Sequence, residues 1–341
     1  MENIAYYFGS ATIYRSGIIM SLAIVAAVAI AVILWCYAGG KFSAIIPVVT
    51  IGLVSSFFFS RLIYWYCCFE QYNGFFDAMF DIGHGGFSLF GAMAGVIIAV
   101  FISRLLGLVK DLPALLDCFA PAGALGICIG RLSAFFTADD KGKTMSDSLS
   151  AQKGFPFAVS VTNEATGTVE YRFPTFFYEA LAAFAIFVFV IMLFSSVYFK
   201  GTRKKGTVAL MFFSLFGATQ TVLESTRYDS LFLHSNGFLS LMQIASAVML
   251  VVPVVVFSVQ GLKSKSKGSN PIFLWVISAL FIGIAGYLEY YVQRHGSAGA
   301  VIYPIMFACL VTVSMFTFLY ASKLTSKSDY YEQPSWDEEE F

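Results

Sequence analysis

Residues 16–37 read SGIIMSLAIVAAVAIAVILWCY, an apolar segment without a charged side chain. A helix that crosses a hydrocarbon core of about 30 Å needs roughly 20 apolar residues, so the segment is long enough to span a membrane. Backbone groups find no water inside lipid, and a helix satisfies them within the segment. No basic cluster precedes the segment and no small-residue cleavage site follows it, so it predicts a retained span rather than a cleaved signal peptide.

The rest of the chain repeats this pattern. Of its 341 residues, 58% are hydrophobic and 12% are charged, a composition outside the range of soluble globular domains. Further spanning helices are predicted near residues 43–66, 86–103, 113–136, 174–199, 206–223, 237–260, 271–291 and 300–321. The predicted fold class is all-α, a polytopic transmembrane helical bundle of nine spans.

Loop charges predict which side of the membrane each loop faces. Short cytoplasmic loops accumulate Lys and Arg, and here basic residues occur in alternate loops. They are Lys41, Arg104, Lys110, Lys200, Arg203, Lys204, Lys205, Lys263, Lys265 and Lys267, followed by Lys323 and Lys327 after the last span. The intervening loop 67–83 has three acidic residues and no basic one. These charges predict an external N-terminus, a cytoplasmic C-terminus and an outside excursion over residues 137–172.

Overall charge and cysteine spacing argue against several classes of function. The 21 basic and 21 acidic residues cancel, so net charge offers no argument for a nucleic-acid partner. The six cysteines lie in or at the edges of apolar segments, without the spacing of a metal site or a redox pair. We therefore predict no metal, no other cofactor and no nucleic acid.

Ionisable residues inside spans are costly and mark candidate functional sites. The predicted topology places such residues in the outer half of the membrane: Arg61, Arg131, Glu179, Glu224 and Arg227. A guanidinium matches the oxygens of a lipid phosphate, and a neighbouring carboxylate can orient an arginine or accept a proton. A structural interpretation also stays open, since Glu224 and Arg227 are three residues apart and can simply pair with each other.

Glycines crowd the segment that enters the third predicted span, at Gly83, Gly85, Gly86, Gly91 and Gly95. Such residues allow close helix contact, which is the favoured interpretation, or irregular backbone beside a cavity. His84 lies among them, either as a base or as a hydrogen-bonded structural group.

Several ordered blocks resemble the prolipoprotein diacylglyceryl transferase family. They are GGFSLFGAMAG (Gly85–Gly95), GRLSAFFTADDKG (Gly130–Gly142), FPTFFYEA (Phe173–Ala180) and FGATQTVLESTRYDSLFL (Phe216–Leu233), with Arg61 and Tyr64 in the second span. The resemblance covers about residues 10–260. It implies a seven-helix core with an external N-terminus, to which the last two spans add a hairpin.

The resemblance implies a bacterial plasma-membrane enzyme that moves a diacylglyceryl group from phosphatidylglycerol to the lipobox cysteine of a prolipoprotein. Its expected partners are phosphatidylglycerol, the prolipoprotein signal peptide and membrane lipids. The candidate catalytic residues are Arg131, Glu179, Glu224 and His84. The candidate substrate-binding residues are Arg61, Tyr64, Gly86, Gly91, Asp139, Gly142, Tyr178, Gln220 and Arg227.

Some positions depart from the family's pattern. Ala134 stands where the family has asparagine, Ser133 where it has glycine, Gln220 where it has arginine, Phe90 at the place of a variable histidine and Ser16 at that of a tyrosine. These changes keep a second interpretation open, a catalytically degenerate relative that binds phospholipid or lipoprotein signal helices. A solute transporter is a third interpretation, disfavoured because no internal repeat is evident.

The domain organisation follows from the extent of the resemblance. Residues 1–260 are expected to form the transferase-like membrane domain, and residues 261–324 an extra transmembrane hairpin. Residues 325–341 are polar and end in acidic side chains. This composition predicts a disordered cytoplasmic tail.

Overall fold

The computed structural model describes residues 4–8, 11–80, 86–137, 141–145, 154–162, 167–228, 230–233, 236–263, 270–295 and 299–324. Over these ranges the chain forms ten α-helices, two short 3-10 helices and three two-stranded antiparallel sheets. Eight of the described helices are long and apolar enough to cross a membrane. The all-α polytopic fold class is therefore confirmed.

Every predicted span corresponds to a helix. The described helices are α1 Arg15–Tyr37, α2 Phe42–Cys67, α3 Phe75–Phe80, α4 Leu89–Leu105, α5 Leu112–Arg131, α6 Thr175–Tyr198, α7 Thr207–Thr226, α8 Leu241–Lys263, α9 Ile272–His295 and α10 Gly299–Leu324. The short α3 was not predicted, and α4 has only 17 residues. One 3-10 helix, Leu132–Phe136, continues the path of α5.

The third predicted span begins late for a reason of backbone geometry. Gly86 has a φ of +83°, a left-handed conformation that no right-handed helix contains. The Ser88 side chain then accepts a hydrogen bond from the Gly91 N–H at 3.3 Å and caps the new helix. As a result α4 begins at Leu89 rather than at the predicted residue 86.

One small hairpin precedes α1 and two others connect α5 to α6 and α7 to α8, and none of them was predicted from the sequence. They pair β1 Ile4–Phe8 with β2 Ala11–Tyr14, β3 Val159–Thr162 with β4 Val169–Arg172, and β5 Phe232–Leu233 with β6 Asn236–Ser240. The strands are two to five residues long, too short for a clear alternating pattern in the sequence. Strand β6 occupies the start of the seventh predicted span, so α8 begins at Leu241 rather than at residue 237.

Helix α7 lies at the centre of the bundle. In its most apolar 18-residue window 72% of the residues are buried, against 17% for α1 and for α9. Its aromatic rings stack internally, with the centroids of Phe212 and Phe216 5.6 Å apart. Helices α5, α6, α8 and α10 all pack against α7. Side chains that α7 carries toward its ends are thus held by several neighbours.

Glycines bring the helices into close contact, as predicted. A Cβ atom at Gly91 would lie 2.5 Å from the Phe59 carbonyl oxygen, and one at Gly95 would lie 2.5 Å from that of Ser55. Helices α2 and α4 therefore touch backbone to backbone along this face. Gly217 of α7 is equally close to the Ser246 carbonyl oxygen on α8.

The last two helices pack against the bundle through polar contacts as well as apolar ones. Ser214 of α7 donates a hydrogen bond to the Ser314 hydroxyl of α10 at 2.9 Å. The Trp275 indole of α9 donates to Ser258 of α8 at 2.8 Å. These contacts fix the α9–α10 hairpin to α7 and α8.

Candidate functional site

Three helix ends meet at one end of the bundle. Helix α5 ends at Arg131 and α7 ends at Thr226, at the place where α6 begins with Thr175. The side chains that meet there belong to Arg131, Glu179, Glu224 and Arg227, which we call the ionic cluster. All four were predicted as site residues. They come from three separate sequence blocks, and these blocks meet only because the three helices alternate in direction.

Glu179 is the centre of the ionic cluster. Its Oε2 lies 2.7 Å from Arg131 Nε, and its Oε1 lies 3.4 Å from Arg227 Nη1. The amide of Gln220 donates a further hydrogen bond to Oε1 at 2.8 Å. The Glu179 side chain is 1% exposed, whereas those of Arg131 and Arg227 are 13% and 11% exposed. Two cations and an amide thus stabilise a buried carboxylate that would otherwise be costly.

Glu224 is held less closely. Its Oε2 lies 3.7 Å from Arg227 Nε, and its Oε1 accepts a hydrogen bond from the Ser240 hydroxyl at 3.4 Å. The predicted pairing of Glu224 with Arg227 is therefore present. Arg227 nevertheless lies closer to Glu179, so the pair belongs to a larger network. The ionic cluster holds two cations and two carboxylates, and its formal charge is zero.

The backbone beyond α7 is pinned against the start of α6 by residues 141–143. Gly142 pairs with Arg227 in an antiparallel bridge, and the Lys143 N–H donates to the Thr226 carbonyl at 2.7 Å. A Cβ atom at Gly142 would lie 2.5 Å from Thr175 Oγ1, so only glycine allows this approach. Gly142 therefore helps to fix the backbone from which the Arg227 side chain extends.

Arg61 lies in a second polar group, on α2. It is 1% exposed, and its Nη1 donates a hydrogen bond to the Gly86 carbonyl at 2.8 Å. Its Nη2 donates to the Ala78 carbonyl, and its guanidinium lies 5.1 Å from the Phe87 ring centroid. A Cβ atom at Gly86 would lie 2.6 Å from Tyr64 Cε1. The predicted site residues Arg61, Tyr64 and Gly86 thus come together.

The other candidates make different contacts or lie outside the described residues. Tyr178 donates a hydrogen bond from its hydroxyl to the Pro156 carbonyl at 3.2 Å. Gly91 lies in the α2–α4 contact. His84, Asp139 and the predicted tail over residues 325–341 lie outside the described residues. Among the residues that are described, no group of three His, Cys, Asp or Glu side chains is placed to hold a metal ion.

Comparison with known proteins agrees with the arrangement of these blocks. A family model described as prolipoprotein diacylglyceryl transferase matches residues 3–259. The chain belongs to this family. Helices α1 to α7 and most of α8 lie within the match, while α9 and α10 lie beyond it.

Similar curated proteins carry the corresponding name. The phosphatidylglycerol-prolipoprotein diacylglyceryl transferase of Clostridium kluyveri is 28% identical over 258 residues, which cover 75% of this chain and 96% of that protein. The protein of that name from Clostridium botulinum strain Langeland is 26% identical over 251 residues, covering 74% of this chain and 95% of the relative.

The structure gives a local account of two departures from the transferase pattern. Gln220 donates to Glu179, so it contributes a neutral donor in place of a third cation. Ala134 is 2% exposed within the 3-10 helix that follows Arg131. An alanine side chain there offers no donor to the site.

Two acidic groups within the spans of this transferase-family chain were missed from the sequence. Asp117 lies in α5 and is fully buried, and Glu289 lies in α9 and faces α7 and α8. Both fall inside predicted spans, where an ionisable side chain is itself a signal. That signal was available, and it identifies both positions without any structural information.

Proposed function

We propose that this protein transfers a diacylglyceryl group from phosphatidylglycerol to the lipobox cysteine of prolipoproteins. Family membership and the names of its relatives support this activity. The observation that carries the proposal is the convergence of Arg131 and Arg227 on the Glu179 carboxylate. Two slightly exposed guanidinium groups beside one another form a site for a phosphate group.

The reaction sets the chemical requirements of the site. The cysteine sulfur forms a bond to the glycerol carbon that carries the phosphate, and the bond from that carbon to the phosphate oxygen breaks. The electron pair leaves with the oxygen, so glycerol 1-phosphate departs with one more negative charge than the diester had. The thiol proton goes to a base, because the thiolate is the nucleophile. The site must therefore accept a proton and stabilise a growing phosphate charge.

The ionic cluster can meet both requirements. We assign Arg131 and Arg227 to the phosphate and Glu179 to the orientation of both arginines. We assign Glu224 to the thiol proton, because its contacts, at 3.4 and 3.7 Å, are longer than the contacts of 2.7 and 2.8 Å that Arg131 and Gln220 make with Glu179. One negative charge leaves Glu224 on protonation as one arrives on the phosphate. The net charge of the site then stays constant during the reaction, which avoids building up charge in a medium of low dielectric constant.

The remaining candidates have proposed roles around this centre. We assign Gln220 and Gly142 to the support of Glu179 and Arg227, on the contacts described above. Arg61, Tyr64 and Gly86 would shape a neighbouring wall for the lipid, with Gly91 holding α4 close to it. Tyr178 faces the segment that contains Pro156 and is proposed to contact substrate. His84 and Asp139 remain candidates, as a base and as a substrate contact, on the sequence alone.

The proposed orientation puts the ionic cluster toward the outside of the plasma membrane. Lys205 and Asp111 form an ion pair at 2.8 Å, at the ends of α5 and α7 away from the ionic cluster. Basic side chains gather at that end, which is typical of a cytoplasmic face. Residues 1–260 would form the transferase domain, residues 261–324 the added hairpin and residues 325–341 the cytoplasmic tail.

The test is a lipidation assay with purified protein, labelled phosphatidylglycerol and a lipobox peptide. The wild-type chain is expected to produce lipidated peptide, and Arg131→Ala to lose this product. The matched control is Arg104→Ala, because Arg104 is an exposed arginine whose Nη1 bonds the Lys110 carbonyl. Arg104→Ala is expected to retain activity.

A different result would support the degenerate relative. If no protein preparation yields product, but phosphatidylglycerol still binds to the wild-type chain and not to Arg131→Ala, transfer is excluded and lipid binding remains. Gln220 and Ala134 are the observations that favour this second candidate, because each replaces a polar family side chain at the site.

A further inference from the structure

Glu289 places a carboxylate of the added hairpin beside the ionic cluster. It lies on α9, beyond residue 259 where the family match ends. Its Oε2 accepts a hydrogen bond from the Ser225 hydroxyl at 2.8 Å, and its Oε1 accepts one from the Gln243 amide at 3.1 Å. A half-buried carboxylate in a span is costly unless it has such partners. Glu289 therefore faces α7 and α8 rather than lipid.

Two short routes lead from Glu289 to Glu224. Ser225 is the next residue after Glu224 on α7. Gln243 lies at the start of α8 and accepts a hydrogen bond at its Oε1 from the Ser240 N–H at 3.4 Å. The Ser240 hydroxyl in turn donates to Glu224 Oε1 at 3.4 Å. The residues of this second route are linked by hydrogen bonds between described side-chain or backbone groups.

The orientation of the Gln243 amide depends on Glu289. One amide hydrogen of Gln243 goes to Ser225 Oγ at 2.7 Å and the other goes to Glu289. With both donors used on this side, the carbonyl oxygen turns to Ser240. An amide whose two donors have acceptors cannot exchange its oxygen and nitrogen without losing both bonds. Removal of Glu289 frees the amide to turn and removes the partner that orients the Ser225 hydroxyl.

We propose that Glu289 is a positioning residue for the transfer reaction. From α9 it orients Gln243 and Ser225, so that Ser240 holds Glu224 in place beside Arg227. This inference rests on the proposed function, in which Glu224 accepts the cysteine proton. The added hairpin thus supports the catalytic carboxylate as well as the packing of the bundle. The Tyr303 hydroxyl of α10 joins this support by donating to the Ser225 carbonyl at 3.4 Å.

A purely structural role for the hairpin makes a different prediction. Ser314 of α10 fixes the hairpin to Ser214 of α7 at a distance from Glu289 along the helices. Ser314→Ala weakens this attachment without touching Gln243 or Ser225. It is the matched control, because it removes a buried polar contact of the same hairpin.

Glutamine at position 289 separates hydrogen-bond geometry from charge. Its carbonyl oxygen can accept from the Gln243 amide, and its own amide can donate to Ser225 Oγ. The Ser225 hydroxyl then keeps its alternative acceptor, the Thr221 carbonyl at 3.3 Å. Glu289→Gln therefore preserves the network, and Glu289→Ala removes it.

The experiment compares wild-type protein, Glu289→Ala, Glu289→Gln and Ser314→Ala in the lipidation assay, together with thermal unfolding in detergent. Because Glu289→Ala removes hydrogen bonds to a charged group, its kcat is expected to be about tenfold lower than that of the wild type. The KM for phosphatidylglycerol is expected to stay unchanged, because the phosphate contacts remain. Glu289→Gln is expected to restore most of the lost kcat. Ser314→Ala is expected to lower the unfolding temperature with wild-type kcat.

Three outcomes overturn the inference while leaving the proposed function intact. They are a Glu289→Ala protein with wild-type kcat, a Glu289→Gln protein as slow as Glu289→Ala, and a Ser314→Ala protein that loses kcat to the same extent as Glu289→Ala. Absence of product from the wild-type chain overturns the proposed function itself and the inference with it.

Discussion

Helices α5, α6 and α7 bury carboxylates near both ends of the bundle, and Glu179 at one end and Asp117 at the other have different kinds of partner. At one end, Glu179 is held by two arginines and Gln220. At the other, Asp117 accepts hydrogen bonds from the Gly206 N–H at 2.7 Å, the Ala209 N–H at 2.8 Å and the Tyr198 hydroxyl at 3.1 Å. Asp117 caps the start of α7, and Gly206 is suited to that turn by its φ of +88°.

The difference between these partners supports the proposal that the Glu179 end performs the chemistry. Backbone N–H groups at a helix start are fixed in place and serve a structural carboxylate. A guanidinium group has five N–H donors, so it can bind a phosphate group while it still contacts a carboxylate. Glu179 and Asp117 thus have similar burial and different expected roles. Substitutions at the Glu179 end should change activity, and those at the Asp117 end should change stability.

The largest effect on activity is expected for Arg131→Ala. Loss of one charged donor to a developing oxyanion lowers kcat by about 100-fold to 1,000-fold, or about 2.7 to 4 kcal/mol. The lipidation assay measures this loss. Arg131→Lys keeps the positive charge but loses the planar guanidinium with its several donors. Its kcat should fall between those of the wild type and Arg131→Ala. Activity of Arg131→Ala above a tenth of wild type would contradict the assignment of this end to chemistry.

Asp117→Ala should produce the largest effect on stability. It leaves the Gly206 and Ala209 N–H groups and the Tyr198 hydroxyl without their buried acceptor, at a cost of about 1 to 3 kcal/mol for each unsatisfied group. Thermal unfolding in detergent measures the loss. Activity per folded molecule should match that of the wild type. A fall in kcat without a fall in stability would reverse the proposed division of roles.

Gln220→Arg should strengthen phosphate binding at the Glu179 end. The new guanidinium would replace a neutral donor beside Glu179 and add a positive charge where the phosphate is proposed to bind. A hydrogen bond to a charged group contributes about 1.5 to 3 kcal/mol, so affinity for phosphatidylglycerol should rise roughly tenfold or more. Binding of labelled phosphatidylglycerol at fixed salt concentration measures this affinity. Gln220→Lys is the control, because it adds a positive charge without a guanidinium group. Unchanged affinity would place the phosphate elsewhere.

The smallest effect is expected for Tyr198→Phe. This change removes one hydrogen bond to Asp117 and keeps the ring, which stacks on Phe194 with centroids 4.4 Å apart. The free energy of unfolding should fall by about 1 kcal/mol. The lipidation rate should not change. A loss of activity larger than the loss of stability would show that the Asp117 end is coupled to the reaction.

Much of the site was predictable because its residues are unusual where they occur. Arg131, Glu179, Glu224 and Arg227 are charged residues in an apolar sequence, and each stands out for that reason. Asp117 and Glu289 carry the same signal and were overlooked beside the stronger family motifs. The strands were not predictable, since segments such as Phe232–Leu233 are too short for any periodicity.

The sequence could not predict which carboxylate lies closer to Arg227. The pair Glu224 and Arg227 has the spacing of a helical ion pair, which favoured a simple mutual contact. The structure instead brings Glu179, 48 residues away along the chain, closer to Arg227. Spacing along one helix cannot report a side chain that another helix supplies.

The sequence by itself determined that this chain lies in lipid, roughly where its spans lie along the chain, and which family it resembles. It could do so because apolar length and the need to satisfy backbone groups act on each segment separately. Only the tertiary structure decided that Glu179 gathers both arginines and that Glu289 reaches Ser225 and Gln243. These contacts depend on which helices pack together and in which direction they run, and in lipid that packing depends on close fit between helices rather than on apolar content.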